Sequence, residues 1–167
     1  MKLSKHTELT IRFANKNDAA LILSFIKKLA VYERMEDEVI ATVNSIEESI
    51  FHNKDAEVII AEEHDQPIGF ALFFKTYSTF LGKANYYLED LYINEDKRGL
   101  GYGKQMLSFL ADIAYKRNAS RLEWVCLDWN KPSIKFYKNL GATPLEDWTT
   151  YRLSGDALRA LADHQKS

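Results

Sequence analysis

The sequence predicts an α/β or α+β domain in which helices pack on a mixed β-sheet. Strand-type segments alternate with amphipathic helical segments, and two successive strand segments are separated by only a short polar turn, as in a hairpin. The chain has 167 residues, of which 46% are hydrophobic, and this is enough to bury one core. We therefore expect a single domain over residues 1–167 with no linker.

The first part of the chain predicts one strand and two helices. Residues 9–13 alternate between apolar and polar side chains, which is typical of a strand. Asn17 or Asp18 can cap the helix that follows, and apolar residues recur at helical spacing until near Tyr32. A shorter helix is expected over residues 45–51.

The middle of the chain predicts four more strands and one helix. Residues 57–63 and 67–78 form a predicted hairpin around the polar turn 64–66. Residues 86–93 and 121–129 are apolar and aromatic, and they predict the fourth and fifth strands. The helix between them would bury Met106, Leu107, Leu110, Ile113 and Ala114.

The last part of the chain predicts two helices and a closing strand. A helix is expected from about Lys131 to Leu140, with Asn130 as its cap and Gly141 as the terminating residue. Residues 148–153 are expected to close the sheet before a short amphipathic tail helix.

The fourth strand runs directly into a glycine-rich loop, residues 98–103, that opens a helix. Glycine allows a positive φ and a close backbone approach, and the first amides of a helix are a favourable site for an anion such as a diphosphate. The spacing excludes a P-loop, since Gly99 and Gly103 enclose three residues and Lys104 precedes Gln105 rather than a hydroxyl residue. It also excludes the dinucleotide fingerprint, because the sixth position from Gly99 is Lys104.

The loop and its flanks resemble the GNAT superfamily of acetyl-CoA-dependent N-acetyltransferases. Arg98, Gly101 and Gly103 occupy the positions of its Arg/Gln-x-x-Gly-x-Gly/Ala loop. The segments YLEDLYI, LDWNKPSIKFYKNLGA and LAVYERMEDEV are similar to the diamine (spermidine/spermine) and thialysine acetyltransferase branch, and the resemblance covers roughly residues 8–163.

This resemblance implies a fold and a coenzyme site. The expected fold is a mixed, mostly antiparallel sheet of 6–7 strands with helices on both faces. Its fourth and fifth strands would splay apart, and the pantetheine arm of acetyl-CoA would lie between them as an added strand. The residues that the resemblance assigns to the coenzyme are Leu91, Tyr92, Ile93, Arg98, Gly99, Leu100, Gly101, Tyr102, Gly103, Lys104, Asn130, Lys131, Pro132 and Ser133.

The resemblance also implies that the amine attacks the thioester directly. Tyr137 would protonate the leaving thiolate, and Glu89 would assist deprotonation of the amine and hold its cation. From the local sequence alone, Tyr137 reads as a core tyrosine and Glu89 as a solvent-facing charge on an alternating strand.

Tyr32 and Glu33 match a Tyr-Glu pair that helps to bind the cationic acceptor in the diamine branch. Glu36, Asp37 and Glu38 add negative charge nearby, although such residues are often simply solvated. The acceptor stays open between a polyamine, a lysine-like or thialysine-like amine, and another small primary amine. Polyamine-acting relatives carry more acidic and tryptophan residues where this chain has Ser78, Phe80 and Thr149.

Two alternatives remain at this level, a non-catalytic acyl-CoA sensor and a protein or peptide N-acetyltransferase. A net charge of −2 argues against nucleic acid as a partner, and no apolar run is long enough for a bilayer. Cys126 is the single cysteine, and histidines 6, 52, 64 and 164 lack metal-ligand spacing, so we expect no metal. We expect a cytoplasmic homodimer with residues 151–153 and the tail helix at its interface.

Overall fold

The computed structural model describes residues 9–164. Residues 1–8, which include His6, and residues 165–167 belong to the predicted domain but lie outside the described residues. Within the described residues the chain divides into two compact units, with the boundary after Val125.

The first unit contains a five-stranded mixed sheet. The strands are β1 (Leu9–Phe13), β2 (Glu57–Glu63), β3 (Gln66–Ser78), β4 (Lys83–Ile93) and β5 (Leu122–Glu123). Their spatial order follows the sequence, and β1 to β4 pair antiparallel while β4 and β5 pair parallel. The fold class is confirmed, although the described residues form five strands where six or seven were expected.

Two helices of the first unit cover one face of this sheet. They are α1 (Ala19–Glu33) and α2 (Val43–Ile46), which continues into a π-helical turn over Glu47–His52. Phe25 of α1 stacks on Phe70 of β3 at 5.5 Å between ring centroids and contacts Tyr92 of β4 at 6.1 Å. These aromatic rings belong to a buried cluster that also includes Ile22 and Ile60.

Helix α3 (Tyr102–Lys116) packs on the opposite face. Its Phe109 contacts Phe13 of β1 at 6.5 Å between ring centroids, and Phe13 is paired with Ile59. Successive side chains of a strand alternate between the two faces of a sheet. Ile60 lies on the face that α1 covers, so Ile59 and its partner Phe13 lie on the opposite face. The apolar residues predicted for the inner side of α3 are all buried.

Two strand predictions are wrong in the structure. The expected fifth strand, 121–129, is reduced to Leu122–Glu123, and 148–153 contain no strand. A strand exists only where a neighbour pairs with its backbone, and β5 pairs with β4 at only two positions, ending at Tyr87. An apolar or alternating pattern gives the propensity for a strand, while the partner is set by contacts that are distant in sequence.

The second unit contains the two predicted C-terminal helices. Helix α4 spans Lys131–Asn139, and the side-chain oxygen of Asn130 caps it by accepting the amide of Ser133 at 3.3 Å. Gly141 follows with a φ of 90°, as expected of a residue that terminates a helix. Helix α5 spans Gly155–Asp163.

Candidate active site

The glycine-rich loop has the open geometry that a diphosphate requires. Gly99 and Gly101 have φ values of 76° and 84°, and apart from their chain neighbours no described residue has an atom within 4 Å of the position of an added Cβ at either glycine. The amide of Gln105 bonds to the carbonyl of Gly101 at 3.1 Å, so the preceding turn of α3 directs its amides toward the loop. Helix polarity adds partial positive charge at the same place. The loop therefore fits an anionic phosphate group.

Arg98 joins this loop to the C-terminal ends of β4 and α1. Its guanidinium carbon lies 4.6 Å from the ring centroid of Tyr32 and 5.4 Å from that of Tyr92, distances typical of a cation–π contact. Its Nε also donates to the carbonyl of Ile93 at 3.0 Å. The predicted acceptor residue Tyr32 and the predicted coenzyme residue Arg98 are thus in contact.

Strand β4 loses its β5 neighbour halfway along its length. The parallel pairing stops at Tyr87 and Glu123, so β4 has no strand among the described residues along its β5 side at 88–93. On the other side, Leu88 pairs with Phe73 and Asp90 with Leu72, which leaves Glu89 as the extra residue of a β-bulge. Bulges change the direction of side chains and are common next to active sites. The predicted pantetheine segment, 91–93, follows this bulge directly.

A cluster of carboxylates lies beside the bulge. Asp90 is on the same face of β4 as Tyr92, two residues away, which is the face that α1 covers. Burial, together with the nearby negative charges of Glu89 and Glu33, raises the pKa of Asp90 to about 6. Burial also raises the pKa of Glu33, at the end of α1. The site therefore favours a cation and contains a carboxylate that titrates near neutral pH.

The sequence matches a known family over most of its length. Residues 23–142 match the family described as Acetyltransferase (GNAT) family. The chain belongs to this family. It is 35% identical over 164 residues to a thialysine N-epsilon-acetyltransferase from Sus scrofa, with 91% of this chain and 96% of that protein covered. It is 29% identical to an L-ornithine N5-acetyltransferase from Arabidopsis thaliana, with 90% of this chain and 86% of that protein covered.

A solved structure supports the same GNAT fold. An integron cassette protein from the mobile metagenome of V. cholerae superposes with a TM-score of 0.76 at 28% identity, covering 92% of this chain and 97% of that one. The chain is therefore an N-acetyltransferase with amine acceptors, and the branch named from the sequence motifs is confirmed.

The first unit holds the predicted GNAT residues from Tyr32 to Lys104. Within it, the structure brings Tyr32 to Arg98, places Glu89 in the bulge, and leaves 91–93 without a β5 neighbour. The second unit holds the other predicted residues. Asn130 caps α4, Lys131, Pro132 and Ser133 form its first turn, and Tyr137 is half-buried, with its ring 5.4 Å from that of Phe136.

Sequence reasoning missed two carboxylates. Asp90 is next to Glu89 in the motif YLED, and the sequence alone does not tell the two carboxylates apart. The structure does, because Glu89 is the bulged residue and Asp90 is the more buried carboxylate with a raised pKa. Glu63 ends β2 far from the motif in sequence, yet it contacts Lys97 and Tyr102 at the glycine-rich loop. The signal available in the sequence was a glutamate at the end of an apolar strand segment, whereas its burial, which is unusual for glutamate, is seen only in the structure.

The described part of the chain contains neither a metal-binding cluster nor a membrane-spanning helix. Residues 9–164 contain no group of three histidine, cysteine or acidic side chains arranged to hold a metal ion. None of the helices within this range is both long and apolar enough to cross a bilayer.

Proposed function

We propose that this protein transfers the acetyl group of acetyl-CoA to a primary amine of a small cationic acceptor. The observation that carries the proposal is Asp90, a carboxylate with a pKa of about 6 that lies beside Glu33 and Glu89, where β4 loses its neighbour. An acidic group of this kind suits both requirements of the acceptor amine, since it attracts the cation and can accept its proton.

Acetyl-CoA would supply the activated acetyl thioester, and the chain would hold it through its backbone. Residues 98–104, which comprise the loop and the first residues of α3, would bind the diphosphate, and the backbone of Leu91, Tyr92 and Ile93 would bond to the pantetheine amides. In the second unit, residues 130–133 are proposed to contribute the rest of the coenzyme site.

The amine must lose a proton before it can attack. An alkylamine with a pKa of about 10.4 is only about one part in a thousand neutral at pH 7.4, which corresponds to ~4 kcal/mol. We propose that Glu89 and Asp90 together accept this proton, with Glu89 holding the cation and raising the pKa of Asp90. Glu33 and Tyr32 would hold the rest of the acceptor.

The second proton of the ammonium group leaves as the new C–N bond forms and the C–S bond breaks. The thiolate that leaves takes a proton, for which we propose Tyr137 as the donor. The ammonium group thus loses two protons in all. One of them restores the proton that Tyr137 gives to the thiolate, and the other is released to solvent. Direct transfer requires no acetylated side chain.

The acceptor that we favour is a basic amino acid with a terminal side-chain amine. The two relatives above are named for thialysine and L-ornithine, both of this class. Ser78, Phe80 and Thr149 offer no carboxylate for the further amines of a polyamine, and Phe80 is almost fully exposed. The cytoplasmic location and the homodimer inferred from the sequence stay predictions.

An acceptor panel tests the proposed function. We expect acetyl-CoA to be consumed fastest with thialysine, lysine or ornithine, more slowly with spermidine, and slowest with lysine-containing peptides, with free thiol release as the measurement. Binding of CoA without thiol release from any amine would instead support the sensor. A preference for peptides would support the protein acetyltransferase.

The substitution Gly101→Ala tests the coenzyme loop. A residue with a side chain at a φ of 84° costs about 1 kcal/mol of stability, and its Cβ would also occupy the open space left for the phosphate. Gly82→Ala is the matched control, since Gly82 has a φ of 65°, has similarly open surroundings and lies in the turn between β3 and β4. We expect both variants to lose similar stability in urea, and only Gly101→Ala to weaken CoA binding in calorimetry. Equal CoA affinity in the two variants would contradict the loop assignment.

A further inference from the structure

Glu63 contacts both residues that border segment 98–101 of the glycine-rich loop. It is the last residue of β2, and one carboxylate oxygen, Oε2, lies 2.5 Å from Nζ of Lys97. The hydroxyl of Tyr102 donates to the other oxygen, Oε1. Lys97 immediately precedes the loop segment 98–101, and Tyr102 is the first residue of α3. A single carboxylate therefore bridges the two ends of this four-residue segment.

The environment of Glu63 requires these two partners. Its side chain is only 8% exposed and that of Tyr102 is 1% exposed, so the carboxylate has given up nearly all of its hydration. A buried charge is tolerated where a counter-charge and hydrogen bonds replace the lost water. Lys97 does most to hold the pKa of Glu63 below its ordinary value, and the bond from Tyr102 adds to this. The carboxylate stays ionised and keeps both contacts.

We propose that Glu63 is a positioning residue that fixes the glycine-rich loop in the shape required for the diphosphate of the coenzyme. This inference rests on the proposed use of acetyl-CoA. Gly99 and Gly101 give the loop its open backbone, but glycine also makes a free loop highly mobile. A bridge across the ends of the loop removes much of this freedom before the ligand arrives, so less entropy is lost on binding.

Arg98, the first residue of the loop, has contacts of its own. The guanidinium of Arg98 contacts the rings of Tyr32 and Tyr92, and its Nε donates to the carbonyl of Ile93. Glu63 therefore holds the borders of the loop from the end of β2, while Arg98 holds its first residue against α1 and β4. Loss of Glu63 should therefore loosen mainly the end of the loop at Tyr102, which Arg98 does not hold.

The test compares Glu63→Gln with Glu62→Gln. Glu62 is the matched control because it is the preceding residue of β2 and also forms an ion pair, with Arg12 at 2.8 Å, but it does not contact the loop. In calorimetry we expect the dissociation constant of CoA to rise roughly tenfold in Glu63→Gln, the size of effect known when the group that supports a binding residue is removed. In Glu62→Gln it should stay unchanged.

A donor without the diphosphate separates loop positioning from general damage. We expect kcat/KM for acetyl-CoA to fall in Glu63→Gln through KM, while kcat/KM for S-acetylpantetheine stays within a factor of two of the unaltered protein. An equal loss with both donors, or an unchanged affinity for CoA, would overturn the role of Glu63. If the unaltered protein itself fails to bind CoA, the proposed function fails with it.

Smaller changes keep the test valid if Glu63→Gln does not fold. Tyr102→Phe removes only the hydroxyl, and Lys97→Met removes the ammonium group but keeps an unbranched side chain of similar length, so each leaves one contact of the carboxylate. Each variant should weaken CoA binding by roughly threefold. The double variant should weaken it more than either single variant, since Lys97 and Tyr102 both hold the carboxylate of Glu63. If neither affects CoA binding, the inference is wrong.

Discussion

Replacement of Asp90 by asparagine is expected to remove most of the activity and to make the protein more stable. The side chain keeps its shape but loses its negative charge, so it can neither accept the proton of the amine nor contribute to the attraction of the cation. Loss of a general base typically lowers the rate by about 10²- to 10⁴-fold. We expect kcat/KM for the acceptor to fall within this range at pH 7.5.

The expected gain in stability follows from the pKa. Asp90 has a pKa of about 6 in the folded protein against an ordinary value of 3.8, so folding favours its protonated form. Its stabilising contribution is therefore complete below pH 3.8 and is lost as the pH rises through 6. Asparagine resembles the protonated form at every pH. The variant should be more stable by about 1–3 kcal/mol at pH 7.5 and by almost nothing at pH 4, as measured by urea unfolding.

The pH dependence of the rate separates Asp90 from its neighbour. In the unaltered protein, kcat/KM should fall below about pH 6, and this acidic limb should disappear in Asp90→Asn. Glu89→Gln is the matched variant, because it removes the negative charge of Glu89 that helps to raise the pKa of Asp90. Without that charge the limb should remain but move to lower pH. A limb that persists in Asp90→Asn and disappears in Glu89→Gln would assign the proton to Glu89 alone.

The local features of this fold could be predicted from the sequence because they depend on neighbouring residues. The pattern of apolar residues predicted α3 and its buried side, and Asn130 and Gly141 marked the ends of α4. The spacing of glycines at 99, 101 and 103 predicted a loop that opens a helix, and in the structure Gly99 and Gly101 lie in the loop while Gly103 lies in the first turn of α3. Periodicity, caps and positive φ are all encoded within a few residues, so a sequence alone reveals them.

Features that depend on distant partners could not be predicted in the same way. The expected strand at 121–129 is a two-residue bridge because β4 pairs with it only up to Tyr87. The bulge at Glu89 depends on its register with β3, and this register decides how Glu89 and Asp90 differ. The contact between Glu63 and Lys97 joins residues 34 positions apart. In each case the sequence supplied the residue types, while the fold supplied their partners.

Replacement of Tyr137 by phenylalanine is expected to lower turnover while CoA affinity stays the same. The variant removes only the hydroxyl and keeps the ring that contacts Phe136 at 5.4 Å. If Tyr137 protonates the leaving thiolate, kcat at saturating substrates should fall by about 10²-fold or more. The dissociation constant of CoA, measured by calorimetry, should not change. Tyr115→Phe is the matched control, because Tyr115 is 83% exposed on α3 and has no proposed role.

The leaving group provides a second test of Tyr137. A thiol with a lower pKa needs less help from an acid, so the loss caused by Tyr137→Phe should be smaller with an acetyl thioester of a thiophenol than with acetyl-CoA. The ratio of kcat/KM between the unaltered protein and the variant measures this for each donor. An equal ratio for the two donors would show that the hydroxyl does not protonate the thiolate. An undiminished kcat with acetyl-CoA would exclude Tyr137 as the acid altogether, because protonation of the thiolate would then proceed without it.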